Sequence, residues 1–598
     1  MAAAHPEPHV SAVSPRFYQD ESYLRGFLGT VGDLQKARAF QDVVLEVEDR
    51  RFPCHRLVLS AASPYFRAMF TSDMAESQQE TVVLQGLDAG IFGEILSYIY
   101  SGTLYVSLDK VQPLYQAADL LQLDYVRGTC SSYMAMNVGR STCVDLYKFA
   151  DVFSLDNVQK CSLQWIARHF TEVASSKEFS SLSITQLTEI ISHDELDVKE
   201  ERTVWKAVVR WVQHSREDRL HHLPSILSDI RFNLLTSDDT AVMLEHPMVR
   251  QDPGISEVIR NLVQKGNYNL KPRLGMTTEM AIWLNPTRGK VYTCSNELFF
   301  MNPHEEKYIS CTYKPEDFPR VTDMVVTSDN DIYILQTEEL EDENQMFLET
   351  QMSLFKYSHA ENAWEQAGVS SISKGPGDDF SSDDERLCEV DRIFYYIAID
   401  SKEHRPLLKM RKYNQDMNQW EECSQLKLKG CGYHRDFAAL SCSPYLYFLT
   451  RWEFHRYDPS QDRWSKLVPP MISDEVCTGV VMGTEIFCTD FHNTQTMVYD
   501  TESDCWQKLQ GWPNPGNLGI NYSPSLFVVE NKLHILLKVY DTASQEAPTW
   551  SSIDCRVYVY DRSADAWSDL KATLPDKKYH VYGCAPVARV YLPYLKGT

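Results

Sequence analysis

A repeat in the second half of the chain constrains its fold more than any other feature. Nine tryptophans follow residue 275, and five of them have a tyrosine seven positions earlier. Tyrosine makes up 32 of the 598 residues, so chance would supply fewer than one such pair. The pairs are Tyr357 and Trp364, Tyr413 and Trp420, Tyr457 and Trp464, Tyr499 and Trp506, and Tyr560 and Trp567.

Each pair brackets a turn between two antiparallel strands. The residues between them are rich in Asp, Asn and Pro, which suit tight turns. An apolar strand precedes each copy, beginning at Asp331, Ile393, Tyr445, Glu485 and Lys532. Successive tyrosines are 56, 44, 42 and 61 residues apart, a length that fits one four-stranded blade.

The repeat therefore predicts an all-β, six-bladed propeller over residues 280–598. A degenerate sixth copy runs from Met301 to Tyr308. One more strand, from Cys584 to Leu592, remains after the last copy. We expect it to pair into the first blade and close the ring, which removes the exposed sheet edges.

The chain before residue 270 has a different character. After a flexible tail at 1–15, alternating strands and amphipathic helices predict an α/β domain over 16–135. Helical periodicity then predicts an all-α domain over 136–268, followed by a linker at 269–279.

Charge and composition narrow the possible partners. The net charge of −25 argues against nucleic acid or an anionic membrane surface as the main partner. No apolar stretch is long enough to insert into a membrane. Fifteen scattered cysteines and an N-terminus without a signal-peptide pattern favour a reducing, cytoplasmic location, with the nucleus as an open alternative.

No set of residues assembles into catalytic chemistry. The sequence has no glycine-rich phosphate loop, no HExxH, no GxSxG and no cysteine-histidine spacing typical of zinc. We therefore expect a non-catalytic protein without cofactor or metal.

The three regions resemble the BTB (POZ), BACK and Kelch domains of the BTB-BACK-Kelch family. The resemblance covers nearly the whole chain, and two segments are similar to the subgroup of Kelch repeat and BTB domain-containing proteins. The BTB motifs are Asp42, Cys54 to Arg56, Ser63 to Phe70 and Tyr98 to Gly102; the BACK motifs are Phe179, Leu182, Leu196, Glu200 or Glu201, Trp211 and Ile230 to Phe232; the subgroup segments are Lys271 to Thr277 and Ser328 to Ile334.

One departure concerns glycine. Kelch blades typically carry a Gly-Gly pair after the second strand. Here those places hold Leu335-Gln336, Ile399-Asp400, Leu449-Thr450 and Cys488-Thr489. Since glycine gives the backbone freedom in tight positions, we expect the blade geometry to deviate there.

The resemblance implies a substrate adaptor of a cullin-3 RING ubiquitin ligase. Met74-Ala75-Glu76 matches the family's apolar-x-Glu cullin motif, which follows the helix ending at Phe70. The segment from Ser141 to Leu155, with Phe149 on its apolar face, matches the paired-helix extension of that surface. The alternative is a cytoskeletal or scaffold protein that dimerises through its BTB domain without any role in ubiquitin transfer.

A helical stripe near the N-terminus predicts a homodimer. Phe17, Tyr23, Leu24 and Phe27 have helical spacing, and a lone helix would leave this apolar stripe uncovered. In the family, the equivalent helix packs across a two-fold axis.

We expect the loops that enter each blade to contact a protein substrate. By the phase of the repeat, the candidates are Arg320, Asp323, His434, Arg435, Asp474, Glu475, Asn517, Asn521, His580 and Tyr582. Two acidic insertions, at 338–343 and 378–385, are interpreted either as solvated loops or as sites that attract a basic degron.

Overall fold

The computed structural model describes residues 23–595 with internal gaps, and the chain divides into two compact units, 1–273 and 274–598. The described ranges are 23–71, 75–265, 271–285, 297–305, 307–313, 321–341, 347–358, 361, 363–374, 385–400, 406–428, 437–450, 452–470, 476–490, 495–513, 518–520, 524–541, 554–570 and 585–595.

The first unit begins with an α/β domain around a three-stranded sheet. Strand β1 pairs antiparallel with β2 and parallel with β3. Alternate residues of β1 are buried, as expected for a strand with one face on the core, and Phe92 and Ile95 pack in the same apolar core. The elements are α1 (Tyr23–Lys36), β1 (Val43–Val47), β2 (Arg50–Cys54), α2 (Arg56–Ala62), α3 (Pro64–Thr71), β3 (Thr81–Leu84), α4 (Ala89–Ser101), α5 (Val111–Leu120) and α6 (Asp124–Met136).

Local sequence sets the ends of helix α4. The Asp88 side chain accepts a hydrogen bond from the backbone N–H of Ile91, which satisfies a free donor in the first turn. Gly102 ends the helix in the left-handed conformation, at φ 67°.

The rest of the first unit is helical. Two of its helices start with a reciprocal capping box, made by Ser183 with Gln186 and by Thr236 with Asp239. The helices are α7 (Cys143–Phe153), α8 (Asp156–Arg168), α9 (Phe170–Val173), α10 (Ile184–Ser192), α11 (Glu201–His214), α12 (Arg216–Arg219), α13 (Leu223–Ile226), α14 (Ser237–Glu245), α15 (Pro247–Arg250) and α16 (Pro253–Lys265), with short 3-10 turns at Phe179–Ser181, Leu220–His222, Leu227–Asp229 and Phe232–Leu234.

A buried ion pair holds the end of this unit against helix α11. The Arg273 guanidinium donates to both carboxylate oxygens of Glu201, at 2.8 and 2.7 Å, and both side chains are fully buried. Arg273 also donates to the carbonyl oxygens of Ile191, His193 and Asp229. The charge therefore has hydrogen-bond acceptors on several sides, which is what makes its burial tolerable.

The second unit contains six antiparallel sheets in the part that the structure describes. After a 3-10 turn at Leu274–Met276, the strands are β4 (Thr278–Asn285), β5 (Glu297–Asn302), β6 (Lys307–Thr312), β7 (Val321–Val326), β8 (Ile332–Glu341), β9 (Phe347–Ser358), β10 (Ala363–Gln366), β11 (Ile372–Lys374), β12 (Glu385–Val390), β13 (Ile393–Asp400), β14 (Leu407–Asn414), β15 (Gln419–Glu422), β16 (Leu426–Lys427), β17 (Ala438–Cys442), β18 (Tyr445–Leu449), β19 (Phe454–Asp458), β20 (Arg463–Leu467), β21 (Val476–Met482), β22 (Glu485–Asp490), β23 (Thr496–Asp500), β24 (Cys505–Leu509), β25 (Leu518–Ile520), β26 (Ser525–Val529), β27 (Lys532–Asp541), β28 (Asp554–Asp561), β29 (Ala566–Asp569) and β30 (Val587–Val590).

Each sheet is one blade, and the two ends of the unit share a blade. Blade 1 has the strand order β30-β4-β5-β6, so the last strand of the chain supplies its first position. Blades 2 to 6 begin at β7, β12, β17, β21 and β25, with β25 and β26 both pairing with β27 in blade 6. Both the six-bladed propeller and its closure by a C-terminal strand are confirmed.

Apolar clusters close the ring between neighbouring blades. One buried cluster joins each pair of consecutive blades, and the last joins blade 6 to blade 1 through Phe527 and Trp283. The positions at which Kelch blades typically carry a Gly-Gly pair contribute side chains to these clusters. Leu335, Ile399 and Leu449 stand at three of these positions, and each is buried in one of the clusters. Side chains at these positions therefore add packing area between blades.

Candidate partner-binding surfaces

A short, partly exposed turn of the α/β domain follows helix α3 in the sequence. Helix α3 ends just after Phe70, whose ring stacks on that of Phe66 with centroids 6.1 Å apart. Residues Ala75–Ser77 form a 3-10 turn that carries the partly exposed Glu76. Met74, the apolar member of the predicted cullin motif, lies outside the described residues. Phe70 and Glu76 thus flank one short segment.

Helix α7 extends this domain through an aromatic contact. The Phe149 ring packs on Tyr115 of α5 at 5.7 Å and on Phe153 at 4.6 Å. Phe149 is only 8 % exposed. Its position therefore supports the seam between α5 and α7 and leaves little of its surface for a partner. Val152, in the next turn of α7, is 74 % exposed.

Helix α1 exposes aromatic side chains. Tyr23 and Phe27 are 63 % and 54 % exposed, and their rings stack at 6.2 Å. Leu24 lies in the same helix, but its side chain is not among those described, and Phe17 lies outside the described residues. An exposed aromatic pair on one helix is a surface suited to a second apolar surface.

Most of the predicted substrate-face residues fall on connections between blades that lie outside the described residues. These are Arg320, His434, Arg435, Asp474, Glu475, Asn517, Asn521, His580 and Tyr582. All stand in the sequence between the last strand of one blade and the first of the next, except Asn521, which stands between β25 and β26. Their role remains a prediction.

Asp323 is the described member of that set, and its carboxylate has a structural partner. It lies on β7 of blade 2, and its Oδ2 accepts a hydrogen bond of 2.7 Å from the backbone N–H of Leu387 in blade 3. Desolvation raises the pKa of the Asp323 carboxyl, while the Arg386 guanidinium acts in the opposite direction. Asp323 therefore joins two blades, and any contact with a substrate would compete with that bond.

The first acidic insertion is not a loop over its described length. Residues 338–341 form the end of strand β8, where Glu338 pairs with Gln351 and Glu341 with Phe347. The interpretation of this part as a solvated loop is wrong, because pairing with β9 overrides the low strand propensity of glutamate. The second insertion lies outside the described residues except for Glu385, which is buried and accepts a hydrogen bond from the Tyr396 hydroxyl.

The Tyr-Trp repeat, by contrast, builds the fold rather than a binding site. In each of the five copies the tyrosine and tryptophan are directly opposite on neighbouring strands, with centroids 5.1–5.4 Å apart. The tryptophan Nε1 donates to a carbonyl oxygen of the preceding blade at 2.7–2.9 Å in four copies. The repeat thus ties each blade to its neighbour.

A third residue, which sequence reasoning missed, completes this connection. An Asn or Asp stands five positions after the tyrosine. In four copies its Oδ1 accepts a hydrogen bond from the tyrosine hydroxyl. In three of these copies the same oxygen also accepts a hydrogen bond from a backbone N–H of the preceding blade. These residues have positive φ of 45–55°, which Asn and Asp tolerate better than most. We call the tyrosine, this Asx residue and the tryptophan the inter-blade clamp; the Asx residues are Asn418, Asp462, Asp504 and Asp565.

Over the described residues, two other kinds of feature are absent. No group of three or more His, Cys, Asp or Glu side chains within them is arranged to hold a metal ion. None of the helices described has the length and apolar character that crossing a bilayer would require.

Comparisons with known proteins agree with this architecture. The BTB/POZ domain family model matches residues 31–138, and the family model described as BTB And C-terminal Kelch matches residues 143–244. The human Kelch repeat and BTB domain-containing protein 2 is 36 % identical over 296 residues, 49 % of this chain and 47 % of that protein. The human Kelch repeat and BTB domain-containing protein 8 is 27 % identical, over 92 % of this chain and 90 % of that protein. The human Kelch repeat and BTB domain-containing protein 6 is 26 % identical, over 98 % of this chain and 88 % of that protein.

The match to protein 2 spans about half the length of that relative, 47 % in human and 49 % in Pongo abelii. A BTB domain, a BACK domain and a propeller in this order define a class of modular protein-interaction proteins. The chain belongs to the BTB-BACK-Kelch family, and its similar relatives carry the name Kelch repeat and BTB domain-containing protein.

Proposed function

We propose that this protein is the substrate-recognition adaptor of a cullin-3 RING ubiquitin ligase. The observation that carries the proposal is the 3-10 turn at Ala75–Ser77, which carries the partly exposed Glu76 a few residues after the end of α3. In the sequence the apolar Met74 stands two positions before this carboxylate, and such a pair suits a helical partner that offers an apolar groove and a hydrogen-bond donor. Cullin-3 is the partner that the family resemblance implies for this position.

The rest of the chain fits the same role. Through its stacked Tyr23 and Phe27, helix α1 would pair two copies, and size-exclusion chromatography with light scattering should then give the mass of a dimer. Two propellers in one dimer would hold a substrate by avidity, which strengthens weak contacts. The protein itself would be non-catalytic, because holding the substrate near the charged ubiquitin carrier raises the rate by proximity. We place this activity in the cytoplasm, with the nucleus as a second location.

The test is a binding measurement between the purified full chain and the N-terminal domain of cullin-3. The variant Met74→Ala with Glu76→Ala should bind at least about tenfold more weakly, a loss of about 1.4 kcal/mol. The exposed Glu80 supplies a matched control, because Glu80→Ala removes the same charge four residues away. Unchanged affinity in the double variant would contradict the assigned surface. A wild-type chain that fails to bind cullin-3 would instead favour the scaffold role.

A further inference from the structure

Arg56 connects three parts of the BTB domain that the sequence motifs leave separate. Its guanidinium donates from one nitrogen to the Ser77 carbonyl and from the other to the Gln79 carbonyl, the latter at 2.6 Å. The same group lies 5.3 Å from the ring centroid of Phe70. Arg56 therefore contacts the end of helix α3, the last residue of the Glu76 turn and Gln79 beyond it.

The backbone of Arg56 is itself fixed. Its N–H donates to Oδ1 of Asp42 at 2.8 Å, at the start of helix α2. The neighbouring His55 is held by its Nδ1 and by its backbone N–H, both against the Tyr100 hydroxyl at 3.0 and 2.9 Å. The guanidinium thus projects from a firmly placed helix start.

These contacts restrict the turn that carries Glu76. The carbonyls of Ser77 and Gln79 lie on both sides of residue 78, so two bonds from one planar cation limit rotation of the backbone there. Stacking on Phe70 limits the cation in turn. Without Arg56, both carbonyls could bond water, and the segment would have more conformations to lose when a partner binds.

We propose that Arg56 is a positioning residue for the partner contact of Glu76, an inference that rests on the proposed function. It would not need to touch the partner. It would lower the cost of binding by holding the Glu76 turn in the bound arrangement beforehand, which is the general advantage of preorganisation.

The experiment compares Arg56→Met with Arg67→Met in the full chain. Methionine keeps an unbranched apolar stem that can cover Phe70 but cannot bond either carbonyl. Arg67 is the matched control, because its guanidinium likewise donates to backbone carbonyls. Its acceptors are Ser60, at 3.0 Å, and Ala61, and both lie in helix α2 and not in the segment 75–79. We expect Arg56→Met to weaken binding to the cullin-3 N-terminal domain about tenfold and Arg67→Met to change it less than twofold.

Three further measurements separate positioning from a general loss of structure. Amide hydrogen exchange should become faster at residues 75–80 in Arg56→Met, with no change in helix α4. In the background of Glu76→Ala, the same substitution should cost less than twofold, because its effect acts through Glu76. Arg56→Lys, which can reach one carbonyl at a time, should fall between the wild type and Arg56→Met.

Each outcome decides the proposal. Unchanged affinity of Arg56→Met, or losses from Arg56→Met and Glu76→Ala that multiply fully, would overturn it. Faster exchange throughout the BTB domain would overturn it as well, because Arg56 would then support the fold and not the turn. If the double variant Met74→Ala with Glu76→Ala binds cullin-3 as well as the wild type, the proposed cullin surface is wrong. In that case, faster amide exchange of Arg56→Met confined to residues 75–80 would still show that Arg56 holds the turn.

Discussion

The seam between blades 6 and 1 should weaken in mild acid because it contains two facing histidines. Nε2 of His534, on β27, lies 2.8 Å from Nε2 of His304, in the turn between β5 and β6. Only one proton fits between these atoms, so one ring donates and the other accepts. His534 is fully buried and stacks on Phe527 at 5.0 Å. Adding a proton to His534 therefore creates a buried charge.

The size of the effect follows from proton linkage. Burial, with His304 as a further cause, lowers the pKa of His534 from 6.5 to about 3. The folded chain then binds fewer protons than the unfolded chain below pH 6.5, so stability is complete above that pH and is lost as the pH falls. At pH 5 the loss from His534 is about 2 kcal/mol, and it stays near that value for any folded pKa below about 4. Burial also lowers the pKa of His304, which adds to the loss in the same direction.

The assay is guanidinium unfolding of the full chain at pH 7.4, 6.0 and 5.0 and constant ionic strength. Tryptophan fluorescence reports mainly on the propeller, because nine of the twelve tryptophans follow residue 275. His534→Phe keeps an aromatic ring against Phe527 and removes the titrating group, so its loss between pH 7.4 and 5.0 should be about 2 kcal/mol smaller than that of the wild type. His214→Phe, at an exposed site on α11, should leave the pH dependence unchanged. Equal pH dependence of wild type and His534→Phe would refute the reasoning.

Two other predictions concern the buried polar contacts. Arg273→Met should destabilise the first unit by about 3–5 kcal/mol, because the buried Glu201 carboxylate loses its ion-pair partner and keeps the hydrogen bond from the Arg231 backbone N–H. Adding Glu201→Leu should recover part of that loss in chemical unfolding, and fully additive losses would argue against the pair. In the inter-blade clamp of blade 4, Asp462→Ala should cost about 2–4 kcal/mol, because it removes the acceptor of the Ser424 N–H and places alanine at positive φ. Asp462→Asn keeps the Oδ1 acceptor that Asn418 uses in blade 3 and should cost much less; equal losses from both substitutions would exclude this explanation.

The propeller could be predicted from the sequence because its signal is periodic and local. Tyr457 and Trp464 stand seven residues apart since a tight turn returns the chain to the facing position on the next strand. The Asx member of the clamp had the same signal, as Asn418 and Asp462 occupy equivalent places in their copies. It went unrecognised because Asn and Asp are ordinary turn residues, and only the structure shows the second bond to the preceding blade.

Contacts between distant residues could not be predicted in this way. Glu201 and Arg273 are separated by 72 residues, and neither their spacing nor their neighbours indicate that both charges are buried together. Likewise, Arg56 stood within the motif from Cys54 to Arg56 without any sign that its side chain reaches Ser77 and Gln79. For the first acidic insertion, composition favoured a loop, whereas pairing with β9 decides the structure of Glu338. Tertiary partners outweigh local preference in each case.

The predicted substrate-face residues and the inter-blade clamps can change independently. The tyrosine, Asx and tryptophan members of a clamp flank the turn that joins the third and fourth strands of a blade, as at Asp462 and Asp565. Their bonds to the preceding blade end on backbone atoms just after its fourth strand, such as the N–H groups of Ser424 and Gln510, so they require no particular side chain there. Nine of the ten predicted substrate-face residues stand farther along the connections between blades or within the split first strand of blade 6, and none of the nine is a clamp member. Asp323 is the exception, because its carboxylate already bonds Leu387 of the next blade. Substrate choice can therefore vary at the nine positions while the clamp bonds that hold the ring together are kept.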